Sequence, residues 1–195
     1  MDRRAAIVGF ITMLAGPAAA KLAPAGKDIK ASSIRWPAGD GTVLHGFIAI
    51  PARARGKQPA VLILAGPGGG TNPGTDLAEA VAQAGLIGCA PDPAMITGAT
   101  GGSERALADL AATIAWLGHH AYATGAIGLL GSSGTEDLLA KLAARPDITA
   151  SVLIGSAAPL TTGGSASILA LPAADSAAWA AAWPRAMAFL RERLK

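Results

Sequence analysis

A single cysteine, Cys89, stands in a chain of 195 residues, so no disulfide can close within it. Its apolar setting suits a buried structural thiol rather than a reactive one. Aromatic residues are scarce, at 4%. The core must therefore be built from Ala, Leu, Ile and Val, which bury less area per residue and give modest stability. Charged residues make up only 15%, and the 16 Lys and Arg are scattered, several of them near the two ends. With no basic stripe and no interleaved aromatics, the net charge of +3 does not mark a nucleic-acid binder. Histidine is rarer still: His45, His119 and His120 are all there is. What is abundant is small and apolar. The 51% apolar content excludes disorder from low hydrophobicity. The 25 glycines and 13 prolines fall short of a low-complexity composition. The length suits one domain with a real core.

The N-terminus has the order of an export signal. Arg3 and Arg4 precede an apolar run from Ala5 to Ala15, Gly16-Pro17 breaks it, and Ala18-Ala19-Ala20 supplies small residues. The run is too short to span a bilayer as a helix, and the arginine pair suits a twin-arginine signal. This reading makes residues 1–20 a signal, 21–31 a polar leader, and the mature protein periplasmic or secreted with no stable membrane span. The alternative is a retained apolar helix on a cytoplasmic protein.

From there the chain alternates. Ile34 to Trp36 and Val43 to Ile50 read as two strands around the Asp40-Gly41 turn. Ala60 to Leu64, Leu86 to Ala90, Ala126 to Leu130, Val152 to Ile154 and Ile168 to Leu171 are short apolar runs, as expected of strands buried on both faces. Helices are expected between them. One is capped by Asp76 and Glu79 and ended by Gly85. A second starts at Ser103 and presents Leu107, Leu110, Ala111, Ile114 and Leu117 on one face. A third runs through Ala144, and a last spans Ser176 to Leu194. Pro91-Asp92-Pro93 reads as a strand stop followed by a Gly- and Thr-rich loop. The pattern predicts an α/β three-layer sandwich: a mostly parallel sheet, helices on both faces, and an antiparallel hairpin at one edge.

Chemistry in such a sheet collects at the carboxyl ends of the strands. Gly131-Ser132-Ser133-Gly134-Thr135 lies there, between an apolar strand and a helix. It approaches the G-x-S-x-G nucleophile elbow, a sharp turn on which the serine backbone is strained, with Thr135 in place of the last glycine. Ser133 is the candidate nucleophile, and the Gly134 N–H is placed to donate to an oxyanion. An ordinary strand-to-helix turn with serine caps is the competing reading. Gly66-Pro67-Gly68-Gly69-Gly70 lacks the Gly-Lys-Ser/Thr of a P-loop and the spacing of a dinucleotide fingerprint.

From about Ser32 to the C-terminus the chain resembles the dienelactone hydrolase family of α/β-hydrolases. Gly39-Asp40-Gly41 leads to Gly46-Phe47-Ile48-Ala49-Ile50-Pro51. Pro59 to Leu64, Ala84-Gly85, Ala90-Pro91-Asp92, Gly125 to Gly131 and Ala186-Met187-Ala188-Phe189-Leu190 follow in the family's order. The resemblance implies hydrolysis of a small ester or lactone through a Cys or Ser, Asp and His triad, with neither a metal nor an organic cofactor. It places Ser133 at the nucleophile and Asp175, just past the strand Ile168 to Leu171, at the acid. Relatives place a His-Glu pair in the loop after the first parallel strand, where this chain has Ala65-Gly66. Pro67 has no N–H to offer an oxyanion, so Gly68 is the candidate second donor.

The triad order in this fold puts the histidine after the acid, and residues Ser176 to Lys195 contain none. We expect the segment with the last strand and the histidine loop to be missing, a C-terminally shortened domain. His119 and His120 precede the strand leading to Ser133, and so belong at its opposite end, beyond hydrogen-bond reach. Two functions follow: a serine hydrolase with impaired or absent turnover, or an inactive relative that binds a small ligand or a partner. The sequence does not fix the oligomeric state.

Overall fold

A computed structural model describes residues 28–66, 73–156 and 164–195. The signal read in residues 1–20, most of the leader, and Pro67 and Gly68 lie outside the described residues. The chain order is β1 (Ile29–Pro37), β2 (Val43–Pro51), β3 (Gln58–Leu64), α1 (Pro73–Gln83), β4 (Ile87–Pro91) and α2 (Pro93–Thr100). Then come α3 (Glu104–Gly118), β5 (Ala123–Ser132), α4 (Glu136–Ala143), β6 (Ile148–Ile154), β7 (Ser167–Leu171) and α5 (Ser176–Arg193).

These strands form a seven-stranded sheet in the order β1-β2-β4-β3-β5-β6-β7. β1 and β2 pair antiparallel, and β2 runs antiparallel to β4. The strands from β3 onward are parallel. This is the expected sandwich with its antiparallel edge pair. In β3 Ala60 to Leu64 are buried, as is all of β4, because helices cover both faces. One layer, α2, α3 and α4, packs Ile96, Leu110, Ile114, Leu117, Leu138 and Leu142 over Leu62, Leu64 and Leu129. The other, α1 and α5, packs Val81, Ala82, Ala186, Met187 and Leu190 over Val61, Ile63, Leu130 and Val152. Each fully buried Leu or Ile contributes about 1.5–3 kcal/mol, so many small contributions replace the few large ones that aromatics would give.

The scarce aromatics are placed to join elements. Trp36 of β1 is buried, its Nε1–H donates to Thr113 Oγ1 of α3 at 3.2 Å, and its ring stacks on Trp116 at 5.0 Å. Arg105 of α3 holds the β1–β2 turn from outside, through Asp40 at 2.7 Å and Thr42 Oγ1 at 2.7 Å. Cys89 faces the α3 layer fully buried, and burial pushes its thiol up to about 12, so no thiolate forms near neutrality.

Three boundaries differ from the sequence reading. β1 starts at Ile29, inside the stretch read as a leader, and pairs Ile29 with Pro51. As an edge strand it exposes Lys30, Ala31, Ser32 and Ser33, which hides it from a hydrophobic pattern. α1 starts at Pro73, so Asp76 lies within its first turn and does not cap it. The loop expected after Pro93 contains α2. Asp92 Oδ1 accepts the Ala94 N–H at 2.8 Å and Pro93 takes the first turn, a helix start that the two prolines disguised as a strand stop.

Ser151 of β6 is an exception in this core. It is fully buried beside the α4 layer, and its Oγ has no hydrogen-bond partner. An unpaired buried hydroxyl costs about 1–3 kcal/mol. Ser151→Ala is therefore expected to raise stability by about 1 kcal/mol in urea unfolding; a loss of stability would mean that the hydroxyl has a partner in solution.

Candidate active site

β3 leads to β4 on one side and β5 lies on the other, so the sheet reverses its winding between β3 and β5. That is where a parallel sheet opens a crevice beyond its strand ends. The two strands run level to that point: Leu64 pairs with Gly131. Just past them the Gly66 N–H donates to Ser132 Oγ at 2.8 Å, tying the start of the loop after β3 to the turn after β5. Gly66 must be a glycine here, because a Cβ would lie 2.6 Å from the Ser133 carbonyl oxygen.

The Ser133 turn is built differently from the elbow expected. The Thr135 N–H donates to the Ser132 carbonyl at 3.1 Å, and Thr135 Oγ1 donates to the same oxygen at 2.7 Å. Residues 132–135 thus form a hydrogen-bonded β-turn with Gly134, at φ 88°, in its third position. A positive φ there is the signature of a type II turn, in which the second residue is relaxed. Ser133 is that second residue, and no residue other than glycine has a positive φ among those described. The strained serine of a nucleophile elbow is absent: glycine has taken the left-handed conformation one position later. Thr135, buried and doubly bonded, locks this turn.

Ser133 is exposed, and its Oγ has no hydrogen-bond partner among the described residues. Its near neighbour is the end of β6, where a Cβ on Gly155 would lie 3.4 Å from Ser133 Cβ. The oxyanion donor expected beside it, the Gly134 N–H, is occupied: it donates to Glu136 Oε2 at 2.8 Å. Glu136 and Asp137 open α4, where carboxylates favour the positive end of the helix. A carboxylate on that N–H both blocks it and repels a developing oxyanion. Neither Glu136 nor Ser132 stood out in the sequence. The signal was present in Thr135-Glu136-Asp137, a hydroxyl residue followed by two acids at the start of a helix.

Asp175 is the N-cap of α5, and its Oδ1 accepts the Ala178 N–H at 2.8 Å. No hydrogen bond or ion pair among the described residues joins it to Ser133 or to a histidine. Gly68, the other donor expected, is outside the described residues. The histidines stand apart from Ser133. His119 and His120 follow α3 at the amino end of β5, a ten-residue strand about 30 Å long. His119 Nδ1 binds the Ala115 carbonyl at 2.8 Å. His120 packs between Trp116 and Tyr122, and its partial burial lowers its pKa. His45 is exposed on β2 and accepts the Asp92 N–H through its carbonyl, which places it at the carboxyl end of the sheet. Three strand spacings separate β2 from β5, about 14 Å, too far for proton transfer to Ser133.

Among solved structures, a protein from Klebsiella pneumoniae assigned as a dienelactone hydrolase is similar, with a TM-score of 0.57 and 20% identity over 84% of this chain and 82% of that one. Brefeldin A esterase, a bacterial homologue of human hormone-sensitive lipase, gives 0.52 and 18% identity over 72% of this chain and 44% of that one. A hypothetical protein from Pseudomonas aeruginosa gives 0.54 and 18%, again over only 44% of its length. The chain thus spans less than half of two of these three. No protein-family profile and no curated protein matches it. The likeness establishes an α/β-hydrolase-like fold.

The role of Asp175 can be read from stability. Asp175→Ala should cost about 1 kcal/mol through the lost cap, and Asp175→Ser should restore most of it, since serine caps as well. If both variants keep wild-type stability in thermal melts, capping is not what the residue does.

Proposed function

We propose that this chain is a serine hydrolase-fold protein of the dienelactone hydrolase type in which turnover of small esters or lactones is impaired or absent. The observation that carries this reading is the Gly134 N–H bound to Glu136 at 2.8 Å. A hydrolase that loses its base can keep a residual ~10³–10⁴-fold rate enhancement from its oxyanion hole and binding alone. Here the donor needed for that residue of catalysis is engaged by a carboxylate of the chain itself. The relaxed Ser133 backbone, the capping role of Asp175 and the remote histidines point the same way. A serine hydroxyl with no base in reach among the described residues is a poor nucleophile.

The crevice between β3 and β5 would then serve to bind a small neutral molecule or a partner rather than to transform it. An active esterase is the second reading. Ser133 is exposed at the switch point of the sheet, and two of the similar structures bear the names of a dienelactone hydrolase and an esterase. We further read residues 1–20 as an export signal, which would put the mature chain in the periplasm or outside the cell. No helix among the described residues is long and apolar enough to cross a membrane.

A fluorophosphonate probe and p-nitrophenyl acetate separate the two readings when wild type is compared with Ser133→Ala and Ser132→Ala. All three proteins should remain unlabelled and hydrolyse the ester at indistinguishable rates. Labelling of the wild type at Ser133, with esterase activity lost in Ser133→Ala, would establish an active hydrolase.

A further inference from the structure

The two edges of the sheet are defended unequally. β1 carries Lys30 and Arg35 and ends at Pro37, all exposed, the charges and proline that keep a free edge from pairing with another chain. β7, at the other edge, is Ser-Ile-Leu-Ala-Leu with neither charge, proline nor bulge, and among the described residues it pairs with β6 on one side only. Ser167 to Ala170 are half-buried. Leu169 packs against the α5 layer, whereas Ile168 belongs to neither core cluster. The surrounding sequence is equally bare: from Ile148 to Pro184 the only ionisable side chain is Asp175, which caps α5. The first half of α5 exposes Ala177, Ala180 and Ala181.

We propose that β7 is the interface of a homodimer, two copies pairing their β7 strands antiparallel across a two-fold axis at Leu169. The edge is self-complementary in that arrangement. Ser167 meets Leu171 of the second copy and Ile168 meets its Ala170, a small side chain against a large one in both pairs, and Leu169 meets its own copy on the axis. The free N–H and C=O groups of each β7 satisfy those of the other. Charge selects the occupant. A strand from an acidic or basic partner would find no opposite charge near this edge, whereas a second copy brings no repulsion. An isologous contact of this kind closes on itself and leaves no growing filament. The Ser133 site takes no part, so the proposal stands whether or not the chain is an enzyme.

The test is sedimentation velocity on the full chain from about 1 to about 100 μM, beside Ile168→Lys and, as a control on the opposite edge, Ala31→Lys. The wild type and Ala31→Lys should shift from monomer to dimer over that range. Ile168→Lys should weaken association at least about tenfold, with an unchanged circular dichroism spectrum. Hydrogen exchange on the wild type gives a reading independent of any variant: the amides of Ser167 to Leu171 should gain protection as concentration rises. A wild type that stays monomeric at the highest concentration overturns the proposal. So does a dimer that Ala31→Lys breaks and a folded Ile168→Lys does not. Protection of β7 that is independent of concentration overturns it too, because a segment of the same chain then covers the edge.

Discussion

The pairing of β3 with β5, level from Ala60–Ile127 to Leu64–Gly131, is the constraint on which the rest of the molecule depends. Both strands are short, apolar and parallel, so both of their faces must be covered and helices must lie on both sides. The winding reverses between them, so their ends open onto one crevice. The loop after β3 and the turn after β5 then meet there, and the Gly66 to Ser132 hydrogen bond fixes how closely.

That closeness shapes the chemistry. Hydrolysis at such a crevice needs backbone donors pointing into open space and a serine held in a strained conformation, ready to attack. In this chain the local groups have satisfied one another. Gly66 N–H is engaged by Ser132, Gly134 N–H by Glu136, and Asp175 by the first turn of α5. Glycine in the third position of the turn removes the strain from Ser133. Each change relaxes the local structure, and each removes something catalysis would use. This is the trade between stability and activity that the proposed loss of turnover would involve.

The sequence disclosed the fold well because the fold rests on hydrophobic pattern. Ala60 to Leu64 and Ala126 to Leu130 could hardly be anything but central strands, and Ser103 marked the start of α3 as its N-cap does in the structure. It disclosed the edges poorly. β1 is too exposed to show an alternating pattern, and α2 starts on Asp92-Pro93, which reads equally well as a turn. At the site the residue types were legible and their conformations were not. Gly131-Ser132-Ser133-Gly134-Thr135 is compatible with a strained elbow and with a relaxed type II turn. The choice is made by Thr135, whose hydroxyl and amide both bind the Ser132 carbonyl, and by Glu136, which draws the Gly134 N–H away from the crevice. Those bonds join residues only two or three apart, but the same residue types also suit a strained elbow, so their spacing alone does not decide which set forms.

The hold of Glu136 on the Gly134 N–H, the expected oxyanion donor, has a direct spectroscopic measure in the Gly134 amide proton. A charge-assisted hydrogen bond moves such a proton downfield. In two-dimensional NMR of the wild type beside Glu136→Gln, a downfield Gly134 amide is expected that moves upfield in the variant, with no response to added acetate in the wild type. A Gly134 amide indifferent to Glu136→Gln, and shifted instead by acetate in the wild type, would show an open donor and contradict it.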